Sequence, residues 1–563
     1  MFIPTTKEEV SALGWARLDV ILITGDTYID HPFMGIAVIG RVLMDRGYRV
    51  GIIAQPDISG SADIARLGEP ILFWGVTSGS VDSMVSNYNA DRSRRKHDDL
   101  TPGGENDRRP DRALIAYTGL IRRYFKNTVP IVLGGIEASL RRIAHYDYWQ
   151  DQVRRSVLLD AKADILVYGM AENSIVELAD ALKNNEDFSS MDGICYIAGS
   201  PGQDCIELPS YEEVSRDDIS FEKMFHLFYR NSDPVSGRCL VQKHGNRYLV
   251  QNRPAKPLSV DDLDRVNELP YERDAHPYYG KQGEVRALDT IRFSITSHRG
   301  CFGGCNFCSI AVHQGRTIVS RSEDSILREA GEMVRHPRFR GIINDLGGAT
   351  ANMYGMDCAV MKRGGFCTGR RCLDEERCSR LDIGHARQLE LLRKIRTIKG
   401  IKKVFIASGI RYDLIVDDTR FGREYLAEIV RYHLSGQMRI APEHVEDSVL
   451  HLMGKPSVRR LKAFIAMFRE AVQDMEKKPV LTHYLMAAHP GCSVDDMVKM
   501  NRILSGELKD IPGQVQIFTP TPSTYSTLMY YTGRDPFDGN ELFVERDMGK
   551  KVKQKNTVKP RRL

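Results

Sequence analysis

Apolar positions along this chain follow two alternating rhythms. From Leu18 to Thr24 (L-D-V-I-L-I-T), Tyr48 to Ala54 and Ile71 to Thr77 they form short, nearly continuous runs, the pattern of strands buried on both faces. Between the first two runs, Gly35 to Arg46 sets Ile36, Ile39 and Leu43 at helical spacing, so the unit reads β-α-β. A helix from Leu114 to Phe125, a strand from Val129 to Leu133 ahead of Gly134-Gly135, a strand from Ile165 to Tyr168 and a helix from Glu172 continue the alternation. Residues 1–186 are therefore expected to form a doubly wound α/β sheet, in which ligands lie beyond the carboxyl ends of the strands. Those ends carry Gly25-Asp26-Thr27-Tyr28-Ile29-Asp30-His31-Pro32, Gln55-Pro56-Asp57 and Gly134-Gly135-Ile136-Glu137. His31 is read first as a histidine in a turn and only second as a ligand.

The rhythm breaks twice. Asn87 to Arg112 is too polar to pack a core and reads as a long exposed loop, either a lid or a solvated insertion. Residues 187–284 lose the alternation and read as a connector with small β elements, including a hairpin at His244-Gly245-Asn246. From Asp289 to Ser297 a strand begins a second series. A helix from Ser320 to Val334 follows, then strands at Gly341 to Leu346, Lys403 to Ser408, Met438 to Ala441, Val480 to Ala487 and Val515 to Phe518. Six β/α units over residues 285–530 predict a partial (β/α)6 TIM-like barrel, with polar loops at the carboxyl ends of its strands. By position on that rim, Ser408, Arg411 and Glu443 are candidate binding residues.

Composition adds bounds. At 563 residues the chain exceeds one ordinary core, and 42% hydrophobic with 27% charged residues is a globular balance with no bilayer-length apolar run. The start, M-F-I-P-T-T-K-E-E-V, lacks a secretory pattern, and eleven cysteines then imply a reducing cytoplasm in which clustered thiols bind metal and do not form disulfides. The net charge of +5 is misleading, because seven Lys/Arg lie between Lys550 and Leu563, in a C-terminal extension (531–563) expected to end in a disordered basic tail. Cys195, Cys205 and Cys239 are scattered without ligand spacing.

The concentrated chemistry is R-G-C-F-G-G-C-N-F-C-S, from Arg299 to Ser309. Cys301, Cys305 and Cys308 can turn toward one centre, and Gly303 and Gly304 permit the tight loop. Zinc would ordinarily take four protein ligands, so three thiols fit an iron–sulfur cubane better, with one iron left open; a zinc clip or buried free thiols are the alternatives. With an aromatic residue, Phe307, before the last cysteine, C-x3-C-x2-C resembles the cluster loop of radical S-adenosylmethionine (SAM) enzymes. Taken with G-D-T-Y-I-D-H-P, D-L-G-G-A-T-A-N-M-Y-G and F-T-P-T-P-S-T-Y-S-T-L-M-Y-Y-T-G, it is similar to the YgiQ-like radical SAM proteins over nearly the whole chain.

That resemblance implies a 4Fe-4S cluster on Cys301, Cys305 and Cys308 whose open iron chelates SAM. An electron then releases a 5′-deoxyadenosyl radical. It implies that Gly347, Gly348 and Thr350 meet the amino group of SAM, although the usual acidic third residue is absent, and that Ser408, Arg411 and Glu443 reach its ribose or carboxylate or the substrate. It implies a flavodoxin- or ferredoxin-like electron donor, a substrate that is RNA, protein or a metabolite, and no membrane partner. A doubly wound domain ahead of such a barrel also resembles cobalamin-binding domains, though the Asp30-to-Gly35 segment lacks the D-x-H-x-x-G order that ligates cobalt. The competing reading is an iron–sulfur redox sensor or RNA- or ribosome-binding protein without turnover.

Cys358, Cys367, Cys372 and Cys378, in a cysteine-rich insertion at 355–380, form a second set spaced C-x8-C-x4-C-x5-C. Four thiols suffice to close a metal site, holding either an auxiliary iron–sulfur cluster or a zinc staple, with free thiols as the alternative.

Overall fold

The strands β1 (Val20–Thr24), β2 (Val50–Ala54) and β3 (Phe73–Thr77) are buried on both faces but for Thr77, as their unbroken apolar runs predict. With β4 (Ile131–Gly134) and β5 (Ile165–Val167) they form a parallel sheet in the order β2-β1-β3-β4-β5. Helix α1 (Gly35–Asp45) turns Ile36, Ala37, Val38 and Leu43 to the core. This is the expected doubly wound α/β arrangement, in a computed structural model that describes every residue except Gln203, 368–370, Glu375, 509–512 and 559–563. The chain divides into two compact units, the first comprising Met1–Leu258, Arg265–Arg292 and Thr521–Ser523.

The segment 187–284, expected as a connector, instead completes the first sheet. Strands β6 (Ile194–Ala198), β7 (Ile206–Leu208), β8 (Leu240–His244) and β9 (Arg247–Gln251) extend it to nine in the order β7-β8-β9-β6-β5-β4-β3-β1-β2. The hairpin holds, with His244 opposite Arg247 and Gly245 at φ 64°. These added strands are short and mostly antiparallel, so they leave no long apolar run to read. Parallel pairing of β7 with β8 draws Cys205 and Cys239 together, and the structure joins these two scattered cysteines in a disulfide, a pairing that the reading of a reducing compartment does not anticipate.

The polar stretch Asn87 to Arg112 is exposed over 91–97, as expected, and is corrected only at its two ends. Asn87, Asp98, Thr101, Asn106 and Arg109 are buried, not solvated. They fold over the carboxyl ends of β1, β2 and β3 and bond one another, Asn87 Nδ2 to the Arg109 carbonyl, Asn106 Nδ2 to the Asn87 carbonyl, Thr101 to Asp98 and Arg109 to Asp98, which is how polar residues can leave water here.

The second unit runs from Phe293 to Pro520, with Ser259–Asp264 and Thr524–Leu563. Six parallel strands follow one another: β10 (Ser294–Thr296), β11 (Asp345–Gly347), β12 (Lys403–Val404), β13 (Gln437–Glu443), β14 (Val480–Ala487) and β15 (Gln514–Ile517). Direct pairings join β10 to β11, β13 to β14 and β14 to β15, while Leu346 N–H to the Phe405 carbonyl (2.9 Å) and an Ile410–Ile440 bridge carry the series between. Helices Glu323–Arg335, Ala386–Thr397, Gly422–Tyr432, Val458–Ala471 and Val494–Arg502 alternate with them, giving the expected partial barrel. Its core takes Ile295, Leu346, Met438, Ile440, Leu481, Leu485 and Val515 from the strands and Ile326, Leu392, Ile429, Leu461 and Met497 from the helices.

Two local expectations change here. The strand read from Asp289 begins later, because Leu288–Ile291 is a helical turn. The basic tail is helical over Met548–Thr557, with Lys551 buried and its ammonium donating to the Tyr530 hydroxyl at 2.9 Å; the end of that tail, 559–563, lies outside the described residues. Among the described residues no helix is long and apolar enough to cross a membrane.

Candidate active site

Past the end of β10, the chain pairs His298–Arg299 antiparallel with Val319–Ser320 and enters the thiol loop. The Cys301 N–H donates to the Gly315 carbonyl (3.2 Å) and the Cys308 N–H to the Cys305 carbonyl (3.1 Å). Asn306, buried between the second and third cysteines, ties the loop down. Its backbone N–H donates to Met453 O (2.9 Å), its side-chain amide donates to Leu452 O (2.7 Å), and its Oδ1 accepts from Arg371 (2.9 Å). Gly304 sits at φ 61°, and a Cβ on Gly303 would stand 2.9 Å from Arg411 Nη1 and 3.2 Å from Cys301 Sγ, so the two glycines serve turn and space respectively.

The three thiols share one environment. Cys301 Sγ lies 3.5 Å from Thr350 Oγ1, and Cys305 Sγ accepts from Arg411 Nη1 at 3.5 Å. Burial, then the two neighbouring thiols, push Cys308 up to about 12, and burial also raises Cys301. Cys301 and Cys308 thus resist ionising until a cation shares their charge. Three thiols without a fourth cysteine in the loop fit an iron–sulfur cubane with one open iron, and do not complete a tetrahedral zinc site.

The residues expected on the rim are found there, with altered partners. Gly347 ends β11, and a Cβ on Gly348 would lie 2.6 Å from the His298 carbonyl, so only glycine fits. Ser408 does not present a free hydroxyl, since it bonds Asp345, which also accepts from Ala407 N–H (2.8 Å) and Ser408 N–H (3.1 Å). Arg411 is held by Asp413 through Nε (2.8 Å) and Nη2 (2.6 Å), which aims its remaining nitrogen at Cys305. Glu443 closes β13 at φ 69°; burial pushes its carboxyl up and the Lys455 ammonium draws it partly back. Asn306, Asp345, Asp413 and Lys455 were not singled out from sequence. Asn306 and Asp345 lie inside motifs already quoted, C-N-F-C and D-L-G-G, and Asp413 lies two residues after Arg411, so the signal was adjacency to the named residues.

The second cysteine set is also gathered. Cys358, Cys367, Cys372 and Cys378 line one largely enclosed cavity, and burial with the other thiols pushes Cys372 up to about 11. Residues 368–370, part of the basic T-G-R-R stretch of this insertion, lie outside the described residues.

The crevice expected at the carboxyl end of the first sheet is filled by the chain. Arg109 is fully buried, with Nη2 at 2.6 Å from Asp26 and 2.9 Å from Asp98 and Nη1 donating to Ser86 at 2.7 Å. Gln55 donates to the Thr101 hydroxyl (2.7 Å) and the Gly25 carbonyl (3.0 Å), and Thr27 N–H donates to Leu100 O (2.9 Å). A corrin at this edge would have to displace that network, so these residues do not fit one as they stand. His31 is buried, its Nδ1 accepting from Phe33 N–H (3.1 Å) and its Nε2 lying 3.2 Å from the Arg292 carbonyl, which is the turn role expected of it.

Residues 2–294 match the radical SAM N-terminal family, and residues 295–503 match the radical SAM superfamily. A UPF0313 protein of Fusobacterium nucleatum is 53% identical, over 100% of this chain and 99% of the relative. One from Methanocella arvoryzae is 47% identical over 96% and 90%. Among solved structures, the radical SAM methyltransferase TsrM of Kitasatospora setae, with cobalamin and a 4Fe-4S cluster bound, superposes with TM-score 0.50 at 14% identity, covering 90% of this chain and 76% of TsrM. The cobalamin-dependent radical SAM enzyme OxsB, with aqua-cobalamin and SAM bound, gives 0.51 at 12% identity, covering 91% and 55%.

Proposed function

From the premise that this chain belongs to the UPF0313 family of radical SAM enzymes, we propose that it cleaves SAM reductively at the Cys301–Cys305–Cys308 loop and uses the product to abstract hydrogen from an unreactive carbon of its substrate. One observation carries the reading: three half-buried thiols lack a fourth cysteine in their loop, and Cys301 stands 3.5 Å from Thr350, which follows Gly347 and Gly348 on the rim. A 4Fe-4S cluster bound there supplies the electron that splits the sulfonium and yields the 5′-deoxyadenosyl radical.

The chain's own residues do the positioning. Arg411, fixed by Asp413, offsets the negative charge that ionised thiols would carry at Cys305. Gly347 and Gly348 let the backbone approach the amino-acid end of SAM, with Thr350 beside Cys301. Asp345 locks Ser408 and with it the loop after β12, so that Ser408 supports the rim and leaves direct contact with ribose to other groups. Glu443, its carboxyl raised by burial, is suited to hold a hydroxyl of nucleoside or substrate. The alternating burial of β13, β14 and β15 leaves Arg439, Thr482, Tyr484 and Gln516 on the face opposite the helix-packed core, a polar wall for a substrate in the barrel. Both TsrM and OxsB hold cobalamin; with Arg109 sealed between Asp26 and Asp98, the reading here routes no step through a corrin.

The test is anaerobic reconstitution with iron and sulfide, reduction, and assay of methionine and 5′-deoxyadenosine. Slow formation of both in equal amounts is expected. SAM that binds tightly yet gives no 5′-deoxyadenosine under strong reduction would reject turnover and leave the sensor reading.

A further inference from the structure

We propose that Cys358, Cys367, Cys372 and Cys378 hold a second iron–sulfur cluster, closed by four thiolates and distinct from the three-thiol site at 301–308. Cysteines separated by gaps of eight, four and five residues have no reason in local geometry to meet. The fold nevertheless brings all four to the wall of one largely enclosed cavity, with Val360, Met361, Leu381, Arg371 and Arg380 completing it. No disulfide joins any of them; the structure leaves all four as free thiols.

The backbone is built to close this loop. Asp357 and Asp382 bond each other in both directions at its base (3.0 and 2.8 Å), and Cys378 N–H donates to the Cys372 carbonyl at 3.0 Å. What is enclosed is small. Its buried core is Phe302, Ile318, Met353, Met356, Leu373 and Leu414 with Met361, Leu381, Cys358 and Cys378 themselves, so two of the four thiols stand where core side chains would. A polar insertion with so little apolar interior is of the kind that a metal group stabilises, because ligation free energy takes the place of burial.

One feature favours a cluster over a zinc ion. Zinc needs its sulfurs about 2.3 Å from a single point. Among the described residues no three His, Cys, Asp or Glu side chains are arranged to hold one ion in that way, so the four thiols surround a space and do not converge on a point. Charge suits either metal group, since four thiolates leave it anionic overall and two guanidinium groups, of Arg371 and Arg380, line the cavity. Arg371 also donates to Asn306 between Cys305 and Cys308, and Phe302 of the first loop lies in the second site's core. The second cluster would therefore brace the loop that carries the first.

On binding a preformed 4Fe-4S group, the four thiols lose four protons to solvent and displace its exchangeable ligands, and no electron changes hands. Each iron then has one protein ligand, which leaves no open iron for SAM.

The experiment uses the full chain with Cys301, Cys305 and Cys308 all changed to Ala, purified without oxygen, so that it does not depend on the first site. About four iron and four sulfide per chain should remain, with a visible charge-transfer band and a reduced electron paramagnetic resonance signal that SAM leaves unchanged. One zinc without sulfide overturns the proposal, as does a folded variant with neither metal. Because the triple variant could fail to fold, C367S in the otherwise wild-type chain is the second arm; Cys367 is exposed, so its loss spares the core. Iron and sulfide should fall by about half while the SAM-responsive signal persists, and unchanged iron overturns the proposal. Loss of the SAM-responsive signal from wild-type protein that still holds iron would instead count against the proposed turnover.

Discussion

Both units end their parallel strands in polar residues, and they use those residues in opposite ways. In the first, Arg109 is buried between Asp26 and Asp98, and Arg141 between Asp82 (2.8 Å) and Asp147 (2.9 Å), so each charge is answered by another from the same chain. In the second, the corresponding ends present three thiols, of which burial raises Cys301 and Cys308 against ionisation, and a glycine edge with no side chain. Closure by internal partners gives stability, whereas groups whose charge the protein itself does not answer are poised for something from outside. The shared βα topology therefore does not decide which end binds.

Four changes would break or sharpen that contrast. The largest effect is expected at the open end. Cys305→Ala removes one thiol and the acceptor of Arg411, and 5′-deoxyadenosine formation should fall to background with the circular dichroism spectrum unchanged; sustained turnover would place the chemistry elsewhere. Next is Arg109→Met, which leaves Asp26 and Asp98 buried and unanswered and should cost about 3–5 kcal/mol in urea unfolding. Adding D26N and D98N to it should restore part of that loss, and a cost below about 1 kcal/mol would show the crevice is not closed by charge.

Gly348→Ala comes third. A methyl group 2.6 Å from the His298 carbonyl forces the rim outward, at about 1–3 kcal/mol, so the Kd for SAM measured by equilibrium dialysis should rise about tenfold or more. An unchanged Kd would remove Gly348 from the SAM site. The smallest effect concerns acid. Burial alone would raise Asp147, but Arg112 and Arg141 outweigh it and hold its carboxyl well below the usual range. Its stabilising contribution is thus complete above the ordinary carboxylate value of about 4 and is lost as pH falls from there toward the depressed folded value. Urea unfolding at pH 6 and pH 3 should show that loss in the wild type and less of it in D147N.

The thiol loop was legible because C-x3-C-x2-C is a local arrangement; its eight residues can reach one centre wherever they are placed. The barrel was legible for a similar reason, since each β/α unit repeats a strand and a helix that announce themselves by periodicity. Connector strands β6 to β9 were not, because strands of three to five residues gain their stability from neighbours distant in sequence. The same holds for the buried residues of Asn87 to Arg112: composition made the stretch a solvated loop, which 91–97 are, and Asp26, Gln55 and Ser86 made burial of Arg109 and Thr101 tolerable.

By itself, then, the sequence determined the alternating α/β architecture, the three-thiol loop and the presence of four further cysteines, all of which depend on spacing along the chain. Tertiary structure alone decided that those four cysteines share one cavity, that Cys205 meets Cys239, that Arg411 faces a thiol, and that the crevice of the first sheet is closed. The physical reason is that partner choice for a buried thiol or charge is a long-range matter: the energy of such a group depends on which other groups leave water with it, and no local pattern records that.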